Sequence, residues 1–569
     1  MSCWDKNRAL WVWFGLLFWF AALGRLGEAF EGKPNVILIL LDDLGYHDLG
    51  IQGSEDVKSP NIDGLARDGV RFTDGYASHS FCGPSRSGLL SGIHPFRIGT
   101  AFNAPKDYSD KTVGLPLDLE ILPQTMKKAG YETYCVGKWH LGHTAGHHPK
   151  NRGFDGFFGF LGGRWNYTAS REYNPVLDEY NYMYRGFRRV SDITYVTDDF
   201  TQAAVGYMHR ANRVLKKPFF LYLAYNAPHA PYIAKTGDLD LSIAEDRRVH
   251  VGMITAVDRG VRRIRRTLEE LGVTEETLII FTNDNGGHAA GANNEPLNNF
   301  KSSYREGGLR VPWFLTWPGV VEKGQTIRKM VTHLDIYPTL QNLAHVPPED
   351  RNPALAGVDL MPFIKKVGED IRVNNGLPHS SIAFGGPDDE GVSRGVLREG
   401  PWKLLVTRDG VNPPLLYHLD ADIRERTNLA ALYPTKTARM LNDWRRWNSD
   451  NIPPVHARER APNPLRLELS VVDNKLITSP GSPITFQATG SSTEGESVDY
   501  YWETFEPIRV DEANFRDVWT EGVTSTGQHQ SSITITYPFA GDYIVRVNIE
   551  TERWVLWKDV QIQVSLEPF

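Results

Sequence analysis

The sequence predicts an α/β fold with a mostly parallel central sheet, a small α+β subdomain after it and an all-β sandwich domain at the end. Three observations carry this prediction. Between Pro34 and about Leu340, short apolar runs alternate with helix-period segments, the pattern of a parallel sheet covered on both faces by its crossover helices. Over residues 344–450 the pattern changes to Pro- and Gly-rich turns and short strand-like pieces. After residue 464, apolar and polar residues alternate with the period of half-buried strands.

In chain order, Lys6 and Arg8 precede an apolar run over residues 9–23, and Gly27 and Ala29 follow at the spacing of a signal-peptidase site. That layout predicts a secretory signal over residues 1–29, and with it a secreted protein, periplasmic, extracellular or lumenal according to the host. No later stretch is apolar enough to span a bilayer, so an integral membrane protein is not expected. The runs at 36–41, 134–137, 219–225 and 278–282 are the candidate buried strands of a domain over residues 33–343. Met253, Ile254, Val257, Val261, Ile264 and Leu268 recur at helix spacing, with arginine and glutamate on the other face. In the subdomain over 344–450, segments 391–397 and 402–406 read as strands and 440–447 as an amphipathic helix. Residues 451–464 contain four prolines and read as a linker. Within 465–569, four segments alternate and predict a small sandwich: Ile484, Phe486 and Ala488; Val498, Tyr500 and Trp502; Ile533 and Ile535; Tyr543, Val545, Val547 and Ile549.

Of the 569 residues, 41% are hydrophobic and 23% charged, which excludes a disordered chain. The net charge of −7 gives no reason to expect a nucleic acid partner, and a polyanion would have to be met by local positive charge. A disulfide framework is excluded as well. Cys3 leaves with the signal, and Cys82 and Cys135 either pair or include one with a chemical role.

Ligands of open α/β sheets bind beyond the carboxyl ends of the strands. The four candidate strands deliver, in order, Asp42-Asp43, Lys138-Trp139-His140, Asn226-Ala227-Pro228-His229 and Asn283-Asp284-Asn285-Gly286-Gly287. One acidic ending is a common helix cap; four polar endings together point to a site. Asp42, Asp43, Asp284 and Asn285 offer only oxygens, a set suited to calcium or magnesium rather than zinc. Pro84 fits a first helical turn. That places Cys82 just before a helix N-terminus, where free N–H groups favour an anion and activate a thiol.

Cys82-Gly83-Pro84-Ser85-Arg86 resembles the signature of the formylglycine-dependent sulfatases, members of the alkaline-phosphatase-like superfamily. The resemblance continues through Gly137-Lys138-Trp139-His140-Leu141-Gly142, Asn283 to Gly287, Lys301, and Glu306-Gly307-Gly308-Leu309-Arg310-Val311-Pro312. It reaches Leu416-Tyr417-His418-Leu419 with Glu425, Asn428, Leu429 and Ala430, and so covers roughly residues 33–450. It implies an alkaline-phosphatase-like fold and a sulfuric ester hydrolase. It implies that a formylglycine-generating enzyme converts Cys82 to formylglycine (3-oxoalanine), and that one calcium ion is held by Asp42, Asp43, Asp284, Asn285 and the converted Cys82. One hydroxyl of the hydrated aldehyde would attack sulfur, and the other would expel sulfate. By the same resemblance Arg86 holds the hydrated aldehyde, and Lys138 and Lys301 bind sulfate oxygens. His140 is then the base that breaks down the intermediate, and His229 the acid for the leaving oxygen, with Lys301 beside it. A histidine near its ordinary pKa suits either task.

The Lys138 to Gly142 segment is similar to that of sulfatases acting on polysaccharides, glycosaminoglycans and aryl sulfates, so the expected substrate is a sulfated carbohydrate or an aryl sulfate. His143, His147, His148, Arg152, Arg164 and Trp165 fall on loops near the expected site and are candidates for sugar contacts. Many relatives place a further polar sulfate contact after a segment like Gly153-Phe154-Asp155, and residues 160–166 assign it to no side chain. The sequon Asn166-Tyr167-Thr168 lies close to the site and is not expected to be used. Segments 484–492 and 537–543 resemble a polycystic-kidney-disease-type (PKD) domain, which implies an immunoglobulin-like (Ig-like) sandwich over residues 465–569. A phosphate or phosphonate ester hydrolase and an inactive carbohydrate-binding protein are the alternatives.

Overall fold

The computed structural model describes residues 32–103, 110–168, 182–367, 376–388 and 390–454, and seven strand segments between 465 and 564. The expected signal, residues 455–464 of the expected linker, Val498 and residues 537–540 lie outside the described residues. Among the described residues, no helix is long and apolar enough to cross a membrane.

Ten strands form one sheet: β1 (Asn35–Leu41), β2 (Val70–Tyr76), β3 (Glu132–Lys138), β4 (Gly156–Phe160), β5 (Met183–Arg185), β6 (Arg188–Val190), β7 (Phe219–Ala224), β8 (Thr277–Asn283), β9 (Trp313–Thr316) and β10 (Gln325–Thr332). Their order is β10-β2-β9-β8-β1-β7-β3-β4-β5-β6. The stretch β8-β1-β7-β3-β4 is parallel throughout. The four apolar runs of the sequence are four neighbours in it, β8, β1, β7 and β3. Every residue of β1, β7 and β8 is buried, which is why these strands read as unbroken apolar runs rather than as alternation.

Alternate residues of β1 feed two cores, one on each face. Ile37, Ile39 and Leu41 join the core covered by helices α3 (Val196–His209) and α4 (Glu245–Leu271). Val36, Leu38 and Leu40 join the core on the other face, with α1 (Cys82–Ser91), α2 (Leu122–Lys128) and α5 (Ile336–Leu343). The α4 stripe read from the sequence, Met253 to Leu268, is buried as its period requires.

Register positions the site. Leu41 lies beside Asn283, and Leu40 beside Ala224, which lies beside Gly137. The residues that follow, Asp42, Asp284, Tyr225 and Lys138, therefore emerge in one row at the carboxyl edge.

The small subdomain is an antiparallel sheet of β11 (Ser381–Pro387), β12 (Ser393–Glu399), β13 (Trp402–Val406) and β14 (Leu415–His418), in that order. Helix α6 (Pro434–Asn448) packs Met440 and Trp444 against Leu397, Leu404, Val406 and Leu416. The terminal strands form two sheets, of three and four strands. Within 483–492, Ile484, Phe486 and Ala488 are buried and Gln487 and Thr489 exposed, the alternation the sequence predicts.

A buried charge cluster ties subdomain to main sheet. Lys403 lies 2.8 Å from Glu306 and 3.1 Å from Glu425, Arg398 lies 2.8 Å from Asp74, and the Tyr76 hydroxyl donates to Glu306 at 2.7 Å. Burial opposes ionisation of Glu306, but Lys403, Arg398 and Arg310 hold its pKa down at about 2. Glu306, Arg310 and Glu425 belong to the family-like segments of the sequence, and their place here is structural. Removing one partner of such a cluster strands a buried charge.

Candidate active site

The site grows from strand ends and one helix start. β1 leads into Asp42 and Asp43, and Asp43 has φ 65°, a left-handed conformation that a non-glycine residue seldom adopts. His140, just beyond β3, has φ 61°. Left-handed strain costs about 1–3 kcal/mol per residue and concentrates at functional positions.

Cys82 is the first residue of α1, with Phe81 as an extended N-cap. The sequence placed it one step earlier, before the helix. The helix begins sooner because Pro84, its third residue, still falls among the positions whose N–H needs no partner. Cys82 Sγ lies 3.5 Å from Asp42 Oδ1 and 3.0 Å from Lys301 Nζ.

The surrounding charges interlock. Lys138 Nζ donates to Asp42 Oδ2 at 2.5 Å. Lys301 Nζ lies 2.7 Å from Asp43 Oδ1. Arg86 donates to Asp284 Oδ2 from Nε at 3.0 Å and from Nη2 at 2.8 Å, and to the Lys138 carbonyl at 2.9 Å. Burial works against ionisation of Asp42, yet Lys138, His229 and Arg86 hold its carboxyl below the usual range. Burial likewise opposes Asp43, and Lys301 and His229 overcome it.

Two expectations change here. Burial pushes the Cys82 thiol up to about 12, against the pull of Lys138 and Lys301. Desolvation outweighs the helix N-terminus, so the unconverted side chain is a neutral thiol, not an activated one. His140 is not near its ordinary pKa either. Burial first, then Lys138 and Arg86, holds it well below 6.5 and keeps the imidazole neutral.

His229 Nε2 faces Asp43 Oδ2 at 3.7 Å, while Nδ1 lies 2.5 Å from the Ala230 carbonyl oxygen. A carbonyl cannot donate, so Nδ1 carries hydrogen and Nε2 is the atom left to exchange a proton.

The oxygen set fits a hard cation. Ligand atoms of Asp42, Asp43, Cys82 and Asp284 lie within 4.8 Å of one another. Asp284 Oδ1 and Asn285 Oδ1 are buried without a hydrogen-bond partner among the described residues, which a native structure tolerates only with a reason. Asn285 donates from Nδ2 to Asp43 at 2.7 Å and to the Gly286 carbonyl at 2.9 Å, which fixes the amide and leaves Oδ1 as its unused acceptor.

The structure thus brings Asp42, Asp43, Cys82, Arg86, Lys138, His140, His229, Asp284, Asn285 and Lys301 to one end of the sheet. The candidate sugar contacts fare differently. Arg152 is buried and donates to the carbonyls of Pro116 and Leu119, both at 2.9 Å. His147 bonds Thr144 at 2.8 Å, and His148 lies edge-on to Phe157 and against Phe187. His143 is buried too. Arg152 thus holds the loop by serving carbonyls that no strand satisfies, and His147 and His148 bond within the same loop, to the Thr144 hydroxyl and from the Lys150 N–H. Trp165 is half-buried and packs on Phe160, with ring centroids 5.9 Å apart, so its indole is part of the core edge; Arg164 is exposed.

The segment after Asp155 has a supporting role. A Cβ at Gly163 would lie 2.7 Å from His140 Nε2, so only glycine lets that loop pass the imidazole. Tyr167 carries no sequence signal, yet its buried hydroxyl reaches the Asn226 carbonyl at 2.6 Å and the His229 carbonyl at 2.9 Å, pinning the turn that presents His229.

With fold and site in view, comparison with known proteins gives the class. Residues 34–346 match the sulfatase family model and residues 468–564 the PKD domain model. The chain belongs to the sulfatase family and is a sulfuric ester hydrolase. It is similar to N-acetylgalactosamine-6-sulfatase of Mus musculus, at 34% identity over 369 residues, 62% of this chain and 70% of that protein. It is 30% identical over 515 residues to the uncharacterized sulfatase YdeN of Escherichia coli (strain K12), covering 75% of this chain and 87% of that one. Among solved structures it resembles Ps i-CgsB, crystallised with k-i-k-neocarrahexaose, with a TM-score of 0.67 and 36% identity over 74% of this chain and 94% of that chain.

Proposed function

We propose that this sulfatase hydrolyses sulfate esters of a sulfated polysaccharide, with residue 82 as formylglycine and one calcium ion held by Asp42, Asp43, Asp284, Asn285 and residue 82. The observation that carries the reading is the charge inventory around Cys82. Three buried carboxylates, Asp42, Asp43 and Asp284, stand against three cations, Arg86, Lys138 and Lys301. A divalent cation would add two positive charges. A sulfate monoester brings one negative charge and an ionised hydroxyl nucleophile a second, which restores neutrality; a phosphate monoester dianion would bring one more. The names of similar proteins, an N-acetylgalactosamine-6-sulfatase and a structure holding a neocarrahexaose, support a glycan substrate. The N-terminal charge and apolar pattern supports secretion.

Calcium would polarise a sulfate oxygen and the nucleophile. Conversion of Cys82 would supply a hydroxyl nucleophile with a second hydroxyl to release sulfate. The protein's own side chains do the rest. Arg86, held by Asp284, fixes the nucleophile's position. The ammonium groups of Lys138 and Lys301 bind sulfate oxygens and offset the charge that develops on them. His229, through Nε2, gives the proton to the leaving sugar oxygen. His140, kept neutral by burial and its cationic neighbours, accepts the proton that frees sulfate.

The test is a matched pair of aryl sulfate and aryl phosphate, followed by sulfated oligosaccharides. Sulfate turnover is expected to exceed phosphate turnover by orders of magnitude. A faster phosphate would overturn the reading, and binding of glycans without any turnover by protein carrying formylglycine would make this an inactive binder.

A further inference from the structure

A cavity of about 310 Å³ lies along the loop that leads into Lys301, open between residues 292–300 and the small subdomain at Arg424 and Arg426. Phe300 forms part of its wall and immediately precedes Lys301, whose ammonium is 3.0 Å from Cys82 Sγ. One Cα step, a lysine side chain and that contact span at most about 13 Å. A group held in the cavity and a sulfate at residue 82 could therefore belong to neighbouring units of one oligosaccharide.

The lining chemistry is that of a sugar site. Asn293 and Asn299 use their side-chain oxygens to accept the backbone N–H of Glu295 and Phe300, both at 2.9 Å, which leaves their amide NH2 groups to donate outward. Phe300 is half-buried and supplies an apolar face. Arg426 is exposed and has no carboxylate side chain within ion-pair distance of its guanidinium among the described residues. Arg424 pairs with Glu295 at 2.5 Å, but with side chains 41% and 55% exposed. Such a surface pair is worth about 0–1 kcal/mol, so an incoming anion can take the place of Glu295. Loop and subdomain are fixed to one another, since Asn298 donates to the Arg424 carbonyl at 2.7 Å and the Glu306 N–H donates to Glu425 at 2.8 Å. The subsite is thus largely preformed.

We propose that this cavity is a second subsite that takes an anionic sugar next to the one whose sulfate ester is cleaved. Arg426, with Arg424 released from Glu295, carries the anionic group. Asn293 and Asn299 donate to its hydroxyls, and Phe300 lies against its apolar face. The subsite makes polymeric sulfated glycans better substrates than single sugars, and it rests on the glycan reading given above.

The test compares wild type and Arg426→Glu on 4-nitrophenyl sulfate, a sulfated galactose monosaccharide and sulfated galactan oligosaccharides. Wild type is expected to prefer the oligosaccharides. In the variant, the ratio of kcat/KM on oligosaccharide to kcat/KM on aryl sulfate falls at least tenfold at low salt, chiefly through KM, and the defect narrows at high salt as screening weakens the charge contact. A ratio that does not move, in an enzyme that cleaves the oligosaccharides, overturns the subsite and leaves the glycan reading standing. Wild type that cleaves the aryl sulfate but no sulfated glycan overturns both.

Discussion

Replacing Asp284 with asparagine keeps the side chain's shape and removes one charge from the centre of the site. Asp284 Oδ2 holds Arg86 through two hydrogen bonds, at 3.0 and 2.8 Å, and Oδ1 is an oxygen left for a cation. Without that charge, the one carboxylate left near Arg86 among the described residues is Asp42, at 3.6 Å, and its remaining partners, an amide oxygen and the Lys138 carbonyl, are neutral. Two carboxylates then face three cations, of which Arg86 and Lys138 are fully buried. Breaking a buried pair in this way costs about 3–5 kcal/mol. For a folded body of roughly 400 residues, unfolding entropy scales so that 1 kcal/mol moves Tm by about 1 °C. In EDTA the variant should therefore melt about 3–5 °C below wild type. Calcium at a hundred times its Kd should add about 2.7 kcal/mol, or roughly 3 °C, to wild type. The variant should gain less than about 1 °C under the same conditions. Scanning calorimetry with and without calcium reads both effects. A variant that gains as much from calcium as wild type would show that Asp284 does not hold the ion, and the reasoning would fail there.

Three further outcomes follow from the same geometry. Lys301→Ala removes the ammonium that touches both Asp43 and Cys82, and kcat on an aryl sulfate should fall by about a hundred- to a thousandfold; a loss under threefold would exclude it from the chemistry. Gly137→Ala should yield little folded protein, because φ is +107° and the new Cβ would lie 1.9 Å from the Ala224 carbonyl oxygen; the cost exceeds about 4 kcal/mol, and a wild-type melting curve would contradict it. Acid should destabilise the protein well above carboxylate pKa values. Burial lowers His79, His147 and His333 to about 3 each, so they stay neutral when folded while the unfolded chain takes up protons below about 6.5. Their stability contribution is full above that pH and lost on acidification, together about 4 kcal/mol between pH 7 and 5.5; urea melts with equal midpoints at the two pH values would refute this.

The central strands were legible because burial on both faces leaves an unbroken apolar run through the middle of each. β2 and β10 were not: their burial alternates or breaks, and charged residues such as Arg71, Asp74, Arg328 and Lys329 interrupt the apolar signal. The strand-end residues were legible for a related reason, since parallel strands in register must release their next residues in one row. What the sequence hides is who partners whom. Nothing local distinguishes Arg152, which satisfies loop carbonyls, from Arg86, which balances carboxylates. Nothing marks Tyr167 as the support of His229. Desolvation is equally invisible, and it reverses the expected thiol activation at Cys82 and the expected pKa of His140. Glu306 and Glu425 sat in family-like segments beside catalytic ones, and only their burial with Lys403 separates scaffold from chemistry.

The measurement that bears most directly on the account is the mass of the tryptic peptide spanning residues 72–86, taken from protein secreted by its own host. Formylglycine at residue 82 predicts a mass about 18 Da below that of the cysteine peptide, in protein that turns over an aryl sulfate. A fully unmodified cysteine in protein with the same turnover would contradict the mechanism at its centre.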